Sequence, residues 1–214
     1  MTPSLDRPAV DAAVAAERHR LADHVTGLTD EQWRTPSLCC AWTVRDVVAH
    51  LTTTTRTTVP GLLRAAVRAR GDFDRMEIDL AAGRAAAHTT AELVGLLRES
   101  ADSRRRFPGS APLDPLMDLV VHGQDIARPL GTPYDSPPEV VAAALAHVAT
   151  NRFMGAPRRL AGVRLVSTDT GWTLGAGPEV RGRDIDLLLV ASGRPAGLDA
   201  LDGPGLALLA GRLG

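Results

Sequence analysis

The sequence predicts a mainly α-helical protein, with a helical bundle over residues 1–135 and a small α+β domain over residues 136–214. Three observations carry this. Apolar residues recur at helical spacing in the first part, beginning with Val10, Val14, Leu21, Val25 and Leu28. Breakers fall between these stretches, at Gly27, Pro60-Gly61 and Pro108-Gly109. Beyond Pro133, Pro137 and Pro138, which mark a linker, the pattern shifts toward short alternating runs such as Val163-Arg164-Leu165-Val166-Ser167.

The elements follow in order. A first helix covers about Leu5 to Leu28, and Thr29-Asp30-Glu31 opens a capped turn after it. A loop through Pro36, Cys39 and Cys40 leads to Thr43-Val44-Arg45-Asp46, a capping box that starts the second helix at Val44. Residues 62–84 hold one further helical piece. Thr90 to Arg106 is amphipathic, with Leu93, Leu96 and Leu97 inward, and Leu113 to Ala127 is the next helix, ended by Pro129 and Gly131. In the second part, Glu139 to Ala149 reads as a helix and Gly171 to Leu174 as a short turn-bounded run. Ile185 to Val190 fits a strand or a helix, and Gly205 to Leu213 reads as a closing helix.

Composition narrows the function classes. The 214 residues are 44% hydrophobic and 23% charged, enough for a buried core. A net charge of -1 gives no reason to expect nucleic acid or an anionic membrane as partner. All 24 basic residues are arginine, and the longest basic run, Arg104-Arg105-Arg106, is short and isolated. No stretch reaches the roughly 18 apolar residues of a membrane span, and the N-terminus lacks a signal-peptide pattern. Adjacent Cys39 and Cys40 exclude a disulfide framework, so a cytoplasmic protein, monomer or homodimer, is expected.

Two polar stripes carry the functional signal. On a helix, Asp114, Asp118, His122 and Asp125 share a narrow arc while most of the remaining circumference is apolar. On the second helix, His50 shares a face with Asp46, Thr53, Thr54 and Thr57. The capping box already accounts for Asp46. His50 added to Asp118 and His122 gives two nitrogens and one oxygen, the ligand count of a catalytic divalent-metal site with open positions.

These residues carry a resemblance. Trp33, Pro36, Cys39 and the run Trp42-Thr43-Val44-Arg45-Asp46-Val47-Val48-Ala49-His50-Leu51 resemble the opening signature of the mycothiol-dependent maleylpyruvate isomerase family, within the DinB-like metal-binding four-helix bundles. Asp118-(x)3-His122-Gly123-Gln124-Asp125-Ile126 is similar to its second signature, and Leu187 to Arg194 to its small C-terminal domain. The resemblance implies a divalent cation, zinc above all, held by His50, Asp118 and His122, with Asp118 standing where the family has Glu. It further implies mycothiol as cofactor and a role in activity for Arg194.

In this reading the metal activates a low-molecular-weight thiol toward a small electrophilic substrate, in an isomerase or S-transferase reaction. Asp125 orients His122 or accepts a proton, and Arg194 binds a carboxylate of substrate or thiol. Cys39 is read as a loop-packing residue because the sequence gives no base beside it. Trp33 and Trp42 are assigned to anchoring the loop, Trp172 to the small domain's core, and His19, His24, His88 and His147 to the surface. The competing class is a metal- or small-ligand-binding carrier, since the C-terminal part also resembles sterol-carrier domains.

Overall fold

The computed structural model describes residues 5–107 and 109–213. It is mainly helical, with one small three-stranded sheet, and the chain divides into two compact units: Asp11–Tyr134, and Met1–Val10 with Asp135–Gly214.

The first unit is built from α1 (Arg7–Val25), α2 (Asp30–Arg34), α3 (Val44–Arg56), α4 (Val59–Arg68), α5 (Phe73–Ala87), α6 (Thr90–Glu99) and α7 (Asp114–Leu130). Threonines set several of the starts. Thr29, Thr43 and Thr89 each form a full capping box, with Gln32, Asp46 and Glu92. α3 is the central helix, packed against α5, α6 and α7, which is why nine of its residues are buried, His50 among them. Its threonine tract stays helical despite poor propensity because the hydroxyls bond back into the helix. Thr52 donates to the Ala49 carbonyl at 2.8 Å and Thr53 to that of His50 at 2.6 Å.

Arginines close the helix ends that threonine cannot. Buried Arg18 donates to the carbonyls of Ser100 at 2.6 Å and Ser103 at 2.8 Å, just beyond α6. Arg105 donates to the carbonyls of Thr55 at 3.1 Å and Thr57 at 3.2 Å, at the end of α3. Within the basic run, Arg105 thus serves the end of α3, while Arg104 pairs with Asp11 and Arg106 bonds the Ser110 carbonyl. Leu21, Leu93, Leu97, Leu116 and Ile126 form the fully buried core.

The elements differ from expectation in three places here. Residues 62–84 belong to two helices, because Arg70 and Gly71 turn the chain through positive φ (56° and 81°) and Asp72 caps a new start. α6 stops at Glu99, seven residues short of Arg106. α7 continues past Ala127 and takes Pro129 into its last turn before Gly131 ends it at φ 64°.

In the second unit α8 (Pro138–Thr150) packs against α9 (Ala156–Arg159) and α10 (Asp184–Ala191). The sheet runs in the order β2 (Thr173–Gly175), β1 (Arg164–Ser167), β3 (Glu179–Gly182), with β1 antiparallel to β2 and parallel to β3. The Ile185–Val190 stretch is helical, and it shows little periodicity because α10 is buried nearly all round. Leu206–Ala210 forms α11, and Trp172 is buried as expected.

Candidate metal centre

α7 supplies two of the expected ligands from adjacent turns, Asp118 and His122, and α3 supplies His50 opposite them. The structure brings the three together. His50 Nε2 lies 3.5 Å from Asp118 Oδ2, and His122 Nε2 lies 3.2 Å from Asp118 Oδ1. One ligand atom from each lies within 4.8 Å of the others, so a single ion fits among them. Both histidines are buried, while the Asp118 side chain keeps 33% exposure and gives the cluster a face to solvent.

The opposite ring nitrogens are turned to carboxylates. His122 Nδ1 is 2.8 Å from Asp125 Oδ2, one helical turn on, and His50 Nδ1 is 3.1 Å from Glu77 Oε2 on α5. The second contact is close but off-axis, outside hydrogen-bond geometry, so both Glu77 oxygens and His50 Nδ1 are buried without a hydrogen-bond partner. A carboxylate behind each imidazole leaves both Nε2 lone pairs for a metal, the arrangement that metal-binding histidines usually have. Two nitrogens and one oxygen suit zinc and neighbouring divalent ions. The residues therefore fit the cation that the spacing implied.

Electrostatics describe the cluster in the absence of an ion. Burial pushes both imidazoles down, but facing Asp118 outweighs it: His50 is raised and His122 raised well above the ordinary value. Burial pushes Asp118 up, and the two imidazoles more than reverse that, leaving it far below the carboxylate range.

Three residues stand at the cluster that the sequence did not assign to it. Glu77 comes from a helix whose start was not read, with alanines around it and no motif to single it out. Trp42 does more than anchor its loop, since its ring centroid is 4.9 Å from that of His50 and 6.0 Å from that of His122. Cys39 does have basic groups beside it: its Sγ is 3.0 Å from Asp125 Oδ2 and 3.7 Å from His122 Nδ1. The signal for Trp42 and Cys39 was their fixed spacing ahead of His50.

Other expectations sort as follows. Asp114 is drawn off the stripe, accepting from the Ala111 N–H at 2.6 Å, and Asp46 serves its capping box. His19 is exposed, but His24, His88 and His147 are half-buried rather than surface groups. His24 is held by Thr132 at 3.2 Å and by the edge of Tyr134. Arg194 lies in the second unit, where it donates to the Ser192 carbonyl at 2.8 Å.

Fold and donor set define a helical protein with a candidate two-histidine, one-carboxylate divalent-metal centre. More narrowly, residues 14–115 match the model of the mycothiol maleylpyruvate isomerase N-terminal domain. The match takes in Cys39, Trp42, His50 and Glu77 and stops short of Asp118. The chain shares the fold of the crystal structure of the mycothiol-dependent maleylpyruvate isomerase, at TM-score 0.64 and 13% identity, over 94% of this chain and 93% of that one. A histidine-to-alanine mutant of that protein matches equally. No curated protein sequence matches this chain. Among the described residues no helix is long and apolar enough to cross a membrane.

Proposed function

We propose that this protein is a divalent-metal-dependent enzyme that uses mycothiol on a small electrophilic substrate, in an isomerisation or thiol-transfer reaction. The convergence of two Nε2 atoms on Asp118, each ring backed by a carboxylate, carries this reading. In it His50, Asp118 and His122 hold the ion, with zinc the first choice for two imidazoles and a carboxylate. A bound divalent ion would lower the pKa of a thiol enough to populate thiolate near neutral pH.

The chain's own residues do the rest. Asp125 and Glu77 fix the imidazoles, and Trp42 covers both rings with an apolar face that excludes water from one side. Asp118, partly exposed, marks the side from which small molecules enter. Arg194 is assigned to a carboxylate of the substrate or the thiol, which its guanidinium can bind through paired hydrogen bonds.

The test is metal content and turnover in wild type beside His122→Ala. We expect about one divalent ion per chain in the wild type, lost in the variant, and mycothiol-dependent isomerisation of cis-enoic diacids or thiol transfer to electrophiles. Absence of metal after reconstitution with zinc, nickel and manganese would sink the metal reading. Metal without any thiol-dependent turnover would favour a carrier.

A further inference from the structure

We infer that Cys39 is a positioning residue for the metal centre, holding the Asp125 carboxylate and, through it, the ring of His122. This rests on the metal reading above and names a further residue for it.

The geometry is a closed triangle. Asp125 Oδ2 accepts a hydrogen bond from the Cys39 thiol at 3.0 Å and faces His122 Nδ1 at 2.8 Å, while Sγ and Nδ1 are 3.7 Å apart. Asp125 is fully buried, so its oxygens need donors from the protein. Cys39 and His122 meet the same oxygen, so the thiol helps to fix the carboxylate's orientation and with it the direction in which Nε2 points.

The main chain grips the same residue. Pro129 has no N–H to give to the carbonyl four residues back, which is that of Asp125. The Leu38 N–H bonds that carbonyl instead, at 3.1 Å. This ties the loop to α7 one residue before Cys39. Ser37 braces it from within, its Oγ donating to the Trp42 carbonyl at 2.9 Å and accepting the Cys39 N–H at 3.1 Å. Cys40, the next residue, is exposed.

Cys39, His122 and Asp125 also lie close enough to be ligands themselves, through Nδ1. The two roles exclude each other, since an Nδ1 that donates to Asp125 has no lone pair left for a metal. The structure favours the donor role because Nε2 is the nitrogen that meets Asp118.

The experiment is titration of metal-free protein with zinc and with cobalt, comparing wild type, Cys39→Ala, Cys39→Ser and Cys40→Ala, each checked for folding by circular dichroism and thermal melting. We expect Cys39→Ala to weaken metal binding by roughly 10-fold or more. Cys39→Ser should recover most of it, because a hydroxyl donates to the same oxygen, and Cys40→Ala should match wild type. The cobalt spectrum should show no thiolate-to-cobalt charge-transfer band. Tight binding in folded Cys39→Ala, failure of serine to rescue, or an intense thiolate band would each overturn the inference while leaving the metal centre standing. A wild-type protein that takes up no metal would overturn both.

Discussion

The two imidazoles of the candidate centre are held differently. His122 is backed by Asp125 in a well-aligned contact at 2.8 Å, and Asp125 is itself bonded at side chain and main chain by the 37–42 loop. His50 is backed by Glu77 at 3.1 Å, off-axis, with the far oxygen of Glu77 buried and unbonded. One side is a tightly specified network. The other is a buried carboxylate with neither oxygen hydrogen-bonded, and a group in that state contributes less to fixing its neighbour. The difference assigns His122 as the rigid ligand and His50 as the adjustable one.

Removing each backing carboxylate tests that assignment, and here the largest effect is expected. Asp125→Ala should weaken zinc affinity by about 10- to 100-fold, the range seen when outer partners of metal-bound histidines are lost. Glu77→Ala should cost less than about 10-fold by the same scale. Competitive zinc titration of the purified variants measures both. Equal losses would break the comparison.

A second test concerns both sides together. Without metal, His50 and His122 are raised and Asp118 is lowered. The raised imidazoles contribute stability that is fully present below the unfolded value of about 6.5 and lost as pH rises through their folded values. Lowered Asp118 contributes above its unfolded value of about 3.9 and loses this as pH falls. The metal-free protein should therefore melt highest in mildly acid solution and lose stability as pH rises beyond neutrality. A divalent ion replaces those protons, so metal-loaded protein should hold its melting temperature through that range, and metal uptake should release protons to the buffer. The loss on the alkaline side should extend to higher pH for His122, which is raised further than His50. A metal-free protein whose stability rises above neutral pH would contradict the cluster's charge arrangement.

The asymmetry also explains what the sequence could reveal. Asp118, His122 and Asp125 lie on one helix at spacings of four and three, so ligand and backing group form one local pattern. The Thr43–Asp46 box placed the start of α3, and with it the face that carries His50. Glu77 lies on α5, whose beginning depends on the positive-φ turn at Arg70 and Gly71 and is hidden in a stretch of Arg, Ala and Gly. Its pairing with His50 is purely tertiary. The Cys39 contact depends on Pro129, which reads in sequence as a helix breaker and in the structure leaves a carbonyl open to the loop. α10 was ambiguous for another reason: burial on all sides erases the period by which a helix is told from a strand.

A third prediction sharpens the rigid side. Gly123 follows His122 directly, and a Cβ there would fall 2.3 Å from Cε1 of Tyr134. The Tyr134 hydroxyl is committed to buried Glu17 at 3.1 Å, so the ring has little room to retreat. Alanine in place of a mid-helix glycine ordinarily stabilises by up to about 1 kcal/mol. Here the clash should reverse the sign, and Gly123→Ala should destabilise by about 1–3 kcal/mol, read from chemical denaturation. The expected drop in metal affinity would come with it, because α7 must shift beside a ligand. A neutral or stabilising effect would mean that Tyr134 does not brace this helix.

The smallest effect is expected at Ala41, in the loop that presents Cys39 and Trp42. Its φ of 67° lies in the left-handed region, which costs a residue with a Cβ roughly 1–2 kcal/mol. Glycine relieves that strain but gains about 0.5–1 kcal/mol of freedom in the unfolded chain. Ala41→Gly should therefore stabilise the protein by at most about 1 kcal/mol, seen as a small rise in melting temperature. Metal affinity should stay at the wild-type value, because Ser37 and Leu38 already pin the loop on the Cys39 side. A stabler variant with clearly weaker zinc binding would show instead that the strain itself presses Cys39 and Trp42 onto the imidazoles, and the rigidity of the His122 side would then originate in the turn rather than in its hydrogen bonds.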